Sequence, residues 1–202
     1  MKIVVLGASG RAGSEITREA AARGHAVTAV ARKPEAIPTA DGVTAFAGDA
    51  SDAAALVPLL QDADALISAL HFDIPMETLL TAVREAGVPR LLITGGAASL
   101  EVAPGLRLFD TPDFPEEFKP YALPGLTALQ TLRGVTDVNW TFFSPAAFIE
   151  EGPRLGAFRT GTDQLLVDDK GESRISFADY AIAMIDELEQ QKHSRARFTA
   201  AY

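Results

Sequence analysis

The stretch VVLGASGRAG, residues 4–13, places Gly7, Gly10 and Gly13 at equal spacing directly after an apolar run. Glycine is chosen where a chain must turn at positive φ or where its backbone must approach another group closely. Between a strand and a helix, such a loop aims backbone N–H groups at an anion, and the helix dipole adds to the attraction. Gly7 allows the sharp exit from the strand, Gly10 lets the backbone come close to a pyrophosphate, and Gly13 lets the helix pack against the sheet. Ala8 and Ala12 complete the loop, and Ser9 and Arg11 can add side-chain donors. The spacing is G-x-x-G-x-x-G, with Ser9 where the commoner fingerprint has glycine.

A dinucleotide site needs a second feature about 20 residues on, an acidic side chain that binds the ribose 2′-hydroxyl when the cofactor is NAD. Here the sequence reads AVARKP, so Arg32 and Lys33 stand there and no carboxylate does. A planar guanidinium suits a 2′-phosphate, which favours NADP(H) over NAD(H). Lys33 reads more readily as a solvated turn residue. Further on, Asp49 and Ala50 in AGDAS follow an apolar run. Asp49 either accepts from the adenine amino group or caps the next helix. Ala69, Leu70 and His71 fall where a nicotinamide ribose would lie, although His71 reads equally well as a surface histidine. Thr94 and Gly95 fall where an acceptor would lie, and Ser144 and Pro145 where they would flank the nicotinamide.

The elements that must position these residues follow from periodicity. Lys2–Leu6 reads as a buried parallel strand, Arg11–Arg23 as a helix ended by Gly24, and His25–Ala31 as the second strand of a βαβ unit. Strands are expected at Val43–Ala47, Ala65–Leu70, Arg90–Thr94 and Trp140–Phe143. Helices are expected at Asp52–Leu60, opened by Ser51 or Asp52, at Glu77–Ala86, closed by Gly87, and at Leu126–Arg133. This alternation predicts an α/β fold, a doubly wound parallel sheet of the Rossmann type in the order 3-2-1-4-5-6. Five prolines and two glycines punctuate residues 101–125, so no long regular element is expected there, only a loop or lid. After Pro145 come short pieces at Gln164–Val167 and Arg174–Ser176, a helix near Phe177–Glu189 and a strand at Arg197–Thr199. They read as a small substrate-side lobe on a single domain.

Composition narrows the function. The 202 residues include 18 basic and 27 acidic side chains, a net charge of −9, with no clustered basic face of the kind a nucleic-acid partner requires. There is no cysteine, which removes disulfides, thiolate metal sites and cysteine nucleophiles, and the three histidines have no ligand spacing. The N-terminal apolar run is too short for a signal peptide or a membrane span, so the expected location is cytoplasmic, with no membrane partner.

The stretches GASGRAGS, the Arg32 turn, AGDASD, LITGGAASLEVAPG, WTFFSPAAFI and the tail GAFRTGTDQLLVDDKGESRISFADYAIAMIDELE together resemble the short-chain dehydrogenase/reductase superfamily. They resemble its atypical branch, the NmrA-like NAD(P)H-binding proteins, and within it the NADH-flavin reductase group. The flavin reductase/biliverdin reductase B type is more distantly similar. The resemblance implies an NADP(H) site at Gly7, Ser9, Gly10, Arg11, Ala12, Gly13, Arg32, Asp49, Ala69, Thr94 and Pro145. It also implies reduction of a free flavin or quinone-like acceptor by a monomer or small homo-oligomer.

One feature of the superfamily is missing. Tyr-x-x-x-Lys supplies a proton donor and the cation that tunes it, but Tyr121 is followed by Gly125 at that offset and Lys119 precedes it. Carbonyl chemistry of the usual kind loses its acid, and no catalytic residue is assigned. Hydride transfer to a flavin survives, because water can supply the remaining proton. Phe109, Phe148 and Phe158 are expected as acceptor walls or as core. The alternative is a non-catalytic protein that senses NADP(H). A sugar-nucleotide epimerase would need the Tyr–Lys pair and a larger lobe.

Overall fold

A computed structural model describes residues 1–202. The apolar runs form the strands β1 (Lys2–Leu6), β2 (Ala26–Ala31), β3 (Val43–Ala47), β4 (Ala65–Ser68) and β5 (Leu91–Thr94). Between them lie the helices α1 (Arg11–Ala22), α2 (Ala53–Leu60) and α3 (Met76–Ala86). The hairpin β6 (Glu101–Ala103) and β7 (Leu106–Arg107) follows, then α4 (Lys119–Arg133) and β8 (Trp140–Ser144). The chain closes with β9 (Phe148–Glu150), β10 (Arg159–Gly161), β11 (Arg174–Ser176), α5 (Phe177–Gln190) and β12 (Ala196–Ala201).

The main sheet runs β3-β2-β1-β4-β5-β8-β12-β10 and is parallel except for the edge strand β10. With β8 as the sixth strand, this is the expected doubly wound order, extended by two strands. β1 pairs with both β2 and β4, so the strand order reverses there. The crevice at that switch point is where an open α/β sheet binds its ligand. β1, β4 and β5 are covered on both faces and read as unbroken apolar runs for that reason. One face packs α1 and α5 over Ile3, Val5, Phe143 and Phe198; the other packs α2, α3 and α4 over Leu6, Leu66, Ile93 and Phe142.

Three expectations change. The final strand is not part of a separate lobe: β12 pairs in parallel with β8, and α5 packs on α1. It is buried almost from end to end, as a central strand is, with β10 shielding its outer edge. Gln164–Val167 is not a strand and contributes one isolated bridge, Gln164 to Glu101. The segment 101–125 is more ordered than its prolines implied, because α4 begins at Lys119 and runs through both Pro120 and Pro124. Pro120 falls in the first turn, where no N–H partner is due. Pro124 gives up a backbone bond that the packed face of Gly125, Ala128, Leu129 and Leu132 outweighs.

Candidate active site

The glycine loop has the geometry its spacing predicted. Gly7 has φ +74°, and a Cβ there would lie 2.5 Å from the carbonyl oxygen of Ala69. A Cβ on Gly13 would lie 2.1 Å from the carbonyl oxygen of Gly7, so only glycine lets α1 seat this closely on the loop. The Gly10 N–H donates to Gly7 O at 2.9 Å, and the Gly7 and Ala8 N–H groups donate to Val30 O, which ties the loop to the end of β2. No side chain caps the start of α1, so its first-turn N–H groups are left without a capping partner, as at helix ends that receive anions.

A cleft of about 930 Å³ opens along this edge. It brings together Gly7, Ser9, Gly10, Arg32, Asp49, Ala50, Ala69, Leu70 and His71, all singled out by sequence. Arg32 and Asp49 share it, and both are exposed. The Ser51 backbone N–H donates to Asp49 at 3.0 Å. That bond first, then the Ser51 hydroxyl and the Arg32 charge, hold the Asp49 carboxyl below its ordinary value. The helix-capping role offered as an alternative for Asp49 belongs instead to Asp52, which accepts from the Ala54 and Ala55 N–H groups. His71 is exposed and lines the cleft. Lys33, Ala36, Ser51, Asp73 and Ile74 also line it. Their signal was only their closeness to strand ends.

The remaining assigned residues lie outside the cleft lining. Ala8 and Gly13 are buried supports of the loop. Arg11 lays its guanidinium over the Phe177 ring at 5.1 Å, and Ala12 packs partly buried against the core. Thr94 donates its hydroxyl to Ser68 O at 3.2 Å, stitching β5 to β4. Gly95 is held against Phe142, whose ring would meet a Cβ there at 2.2 Å, and its N–H donates to Phe143 O. Ser144 and Pro145 are buried at the end of β8, and the Ser144 hydroxyl has no partner in the fold.

A second hollow of about 310 Å³ adjoins these strand ends. The two share a wall: residues 69–71, 73 and 74 face the cleft, and Phe72 between them faces the hollow. Gly96–Ser99 after β5 and Ala147 after β8 form its floor, and Phe114, Phe118, Tyr121 and Leu126 its outer sides. The expected walls are corrected here. Phe109 packs on Phe114, Phe148 is exposed with Arg174 stacked on it, and Phe158 leans on the core. The residues that line this hollow on its helix side, Phe118, Tyr121, Ala122, Gly125 and Leu126, recur at helical spacing, a signal the two prolines masked.

No tyrosine has a lysine to work with. Tyr121 is exposed, and the nearby Lys119 pairs with Glu116. Tyr180 is buried on Phe143 and donates to Phe143 O at 2.9 Å, and burial drives its pKa well above the ordinary value. Tyr202 donates to Asp179 at 2.8 Å, away from the cleft.

The fold and the glycine cradle define a Rossmann-type dinucleotide-binding protein. Residues 7–188 match the model of the NAD(P)H-binding family, and the chain belongs to it. In combination with its solved neighbours, this fits the NmrA-like branch. A structure from Burkholderia pseudomallei, provisionally named an exported protein, is 44% identical with a TM-score of 0.93, covering 100% of both chains. A provisionally named epimerase from Bacteroides thetaiotaomicron is 44% identical with a TM-score of 0.90, covering 100% of this chain and 96% of its own. A provisionally named NADH-flavin reductase from Streptococcus pneumoniae is 35% identical with a TM-score of 0.87, covering 100% of this chain and 99% of its own. No helix is long and apolar enough to cross a membrane.

Proposed function

We propose that this chain is a cytoplasmic, NADPH-dependent reductase of a flat acceptor, a flavin or a quinone, acting as a monomer or small homo-oligomer. The observation that carries the reading is the aromatic hollow abutting the dinucleotide cleft, with no Tyr–Lys pair beside it. The N–H groups of Ser9 and of Arg11–Gly13 hold the diphosphate, Arg32 holds the 2′-phosphate, and Asp49 accepts from the adenine amino group. Thr94–Gly95 and Ser144–Pro145 flank the nicotinamide end. When bound, the reduced nicotinamide supplies a hydride. Phe72, Phe118 and Tyr121 orient the acceptor ring over it and exclude bulk water from its face. The last proton comes from solvent at the open mouth, so no acidic side chain is required.

An epimerase, the name borne by one relative, uses a proton donor that these tyrosines cannot supply. A sensor would bind NADPH equally well, and turnover separates the two. Steady oxidation of NADPH with riboflavin, FMN or a naphthoquinone is expected. Tight NADPH binding with no turnover on any of them would overturn the enzyme reading in favour of the sensor.

A further inference from the structure

The aromatic hollow also says which acceptors enter it. Its lining contains no Lys, Arg, Asp, Glu or His, and ten of its thirteen residues are hydrophobic. Its inner wall is rigid: Phe72 stacks on the buried Phe142 with centroids 5.9 Å apart. A Cβ on Gly125 would come within 3.0 Å of the Phe72 ring, so the glycine lets helix and ring close up. Its outer wall is loose, with Phe118 56% and Tyr121 81% exposed, so two aromatic faces stand in water beside the opening. Such surfaces bury a planar ring and reward it by stacking.

The segment that supplies the outer sides of the hollow is net acidic. Residues 101–125 carry Glu101, Asp110, Asp113, Glu116 and Glu117 against Arg107 and Lys119, five acidic to two basic. Both cations are already engaged: Arg107 binds Asp110 through two bonds of 2.6 and 2.9 Å, and Lys119 binds Glu116. No cation of this segment is left for a phosphate, and Asp113 and Glu117, exposed beside the lining residues Phe114 and Phe118, repel one.

We infer that the acceptor is an uncharged planar aromatic, a quinone or an unphosphorylated isoalloxazine, and that the mouth discriminates against phosphorylated flavins. This deepens the reductase reading and rests on it for turnover, whereas the binding preference stands apart from it. In turnover the acceptor gains two electrons and a proton as hydride, plus one proton from water. It leaves as the dihydro form, and NADP⁺ is the other product.

Riboflavin and FMN test this directly, because they share one ring and differ only in the phosphate. Binding is read by quenching of flavin fluorescence on the NADP⁺-loaded protein, and turnover by NADPH oxidation. At low ionic strength riboflavin is expected to lead FMN by roughly tenfold in both Kd and kcat/KM, the gap closing as salt rises. The double variant Asp113→Asn/Glu117→Gln should raise FMN alone, and Tyr121→Ala should weaken riboflavin while leaving NADPH affinity unchanged. Preferential riboflavin binding with no turnover of riboflavin, FMN or a naphthoquinone would sink the reductase reading and keep the binding preference. FMN equal to or better than riboflavin at low salt would overturn the inference and leave the reductase standing. Failure of riboflavin to bind at all would also overturn it.

Discussion

Replacing Arg32 by alanine isolates the contact that is proposed to choose between NADPH and NADH. Arg32 follows β2 on the open edge of the cleft, its side chain exposed. A guanidinium gripping a phosphate makes one or two charge-assisted hydrogen bonds, each worth about 1.5–3 kcal/mol. Exposure argues for the lower figure, and the nearby Asp49 carboxylate offsets part of it. The expected rise in Kd for NADPH is therefore about 10- to 100-fold. NADH, lacking the phosphate, should change by less than about twofold. Calorimetric titration of both cofactors on both proteins reads this as a ratio, so a general weakening cancels. Raising the salt should shrink the wild-type preference and leave the variant unmoved. If the variant keeps the wild-type ratio, the 2′-phosphate is held elsewhere and the reasoning from the AVARKP turn is wrong.

Other perturbations have equally definite outcomes. Gly13→Ala drives a Cβ into the Gly7 carbonyl, a backbone contact that cannot yield; it should cost about 2–4 kcal/mol in urea unfolding and abolish cofactor binding. Asp49→Ala should weaken NADPH and NADH alike by several-fold in the same titrations; tighter NADPH alone would mean that Asp49 only opposes the 2′-phosphate. Glu187→Ala strands the buried Arg90, its 2.7 Å partner, and should cost about 3–5 kcal/mol, whereas Arg90→Met/Glu187→Leu should recover most of that by chemical denaturation. Asp168 is held below its ordinary 3.8, first by the Glu172 N–H and then by that of Lys170. Its contribution is complete above that value and is lost as pH falls through the lowered one. Asp168→Asn should therefore flatten the acid limb of a Tm–pH curve, and an unchanged limb would refute the assignment.

The cofactor side of the molecule was legible because its chemistry is backbone chemistry. A loop that must turn at positive φ and admit a helix within 2.1 Å of a carbonyl accepts only glycine at Gly7 and Gly13, so the residue types record the geometry. The same holds for parallel strands covered on both faces: the only polar residues of β1 and β4 are the exposed Lys2 that opens one and the buried Ser68 that ends the other. Thr94 and Gly95 lie at the expected end of β5, and each also has a task in the fold. Their hydroxyl and missing side chain serve strand pairing and Phe142 packing, which strand-end position alone does not distinguish from ligand contact.

The side proposed for the acceptor was hidden by the opposite circumstance, local preferences overruled by packing. Proline is disfavoured in a helix because it lacks an N–H and crowds the preceding turn, and that reasoning dissolved residues 119–125 into loop. α4 exists nonetheless, because its buried stripe faces α3 and Phe72, and that burial outweighs the bond lost at Pro124. Once the helix is granted, Phe118, Tyr121 and Leu126 fall on one side of it and become the outer wall of the hollow. The proposed acceptor pocket therefore depends on a helix stabilised from its inner face. Weakening that face should open the pocket without touching a residue that lines it. Leu132→Ala, fully buried in α4, is a position where such coupling would register as lost riboflavin affinity with NADPH binding intact.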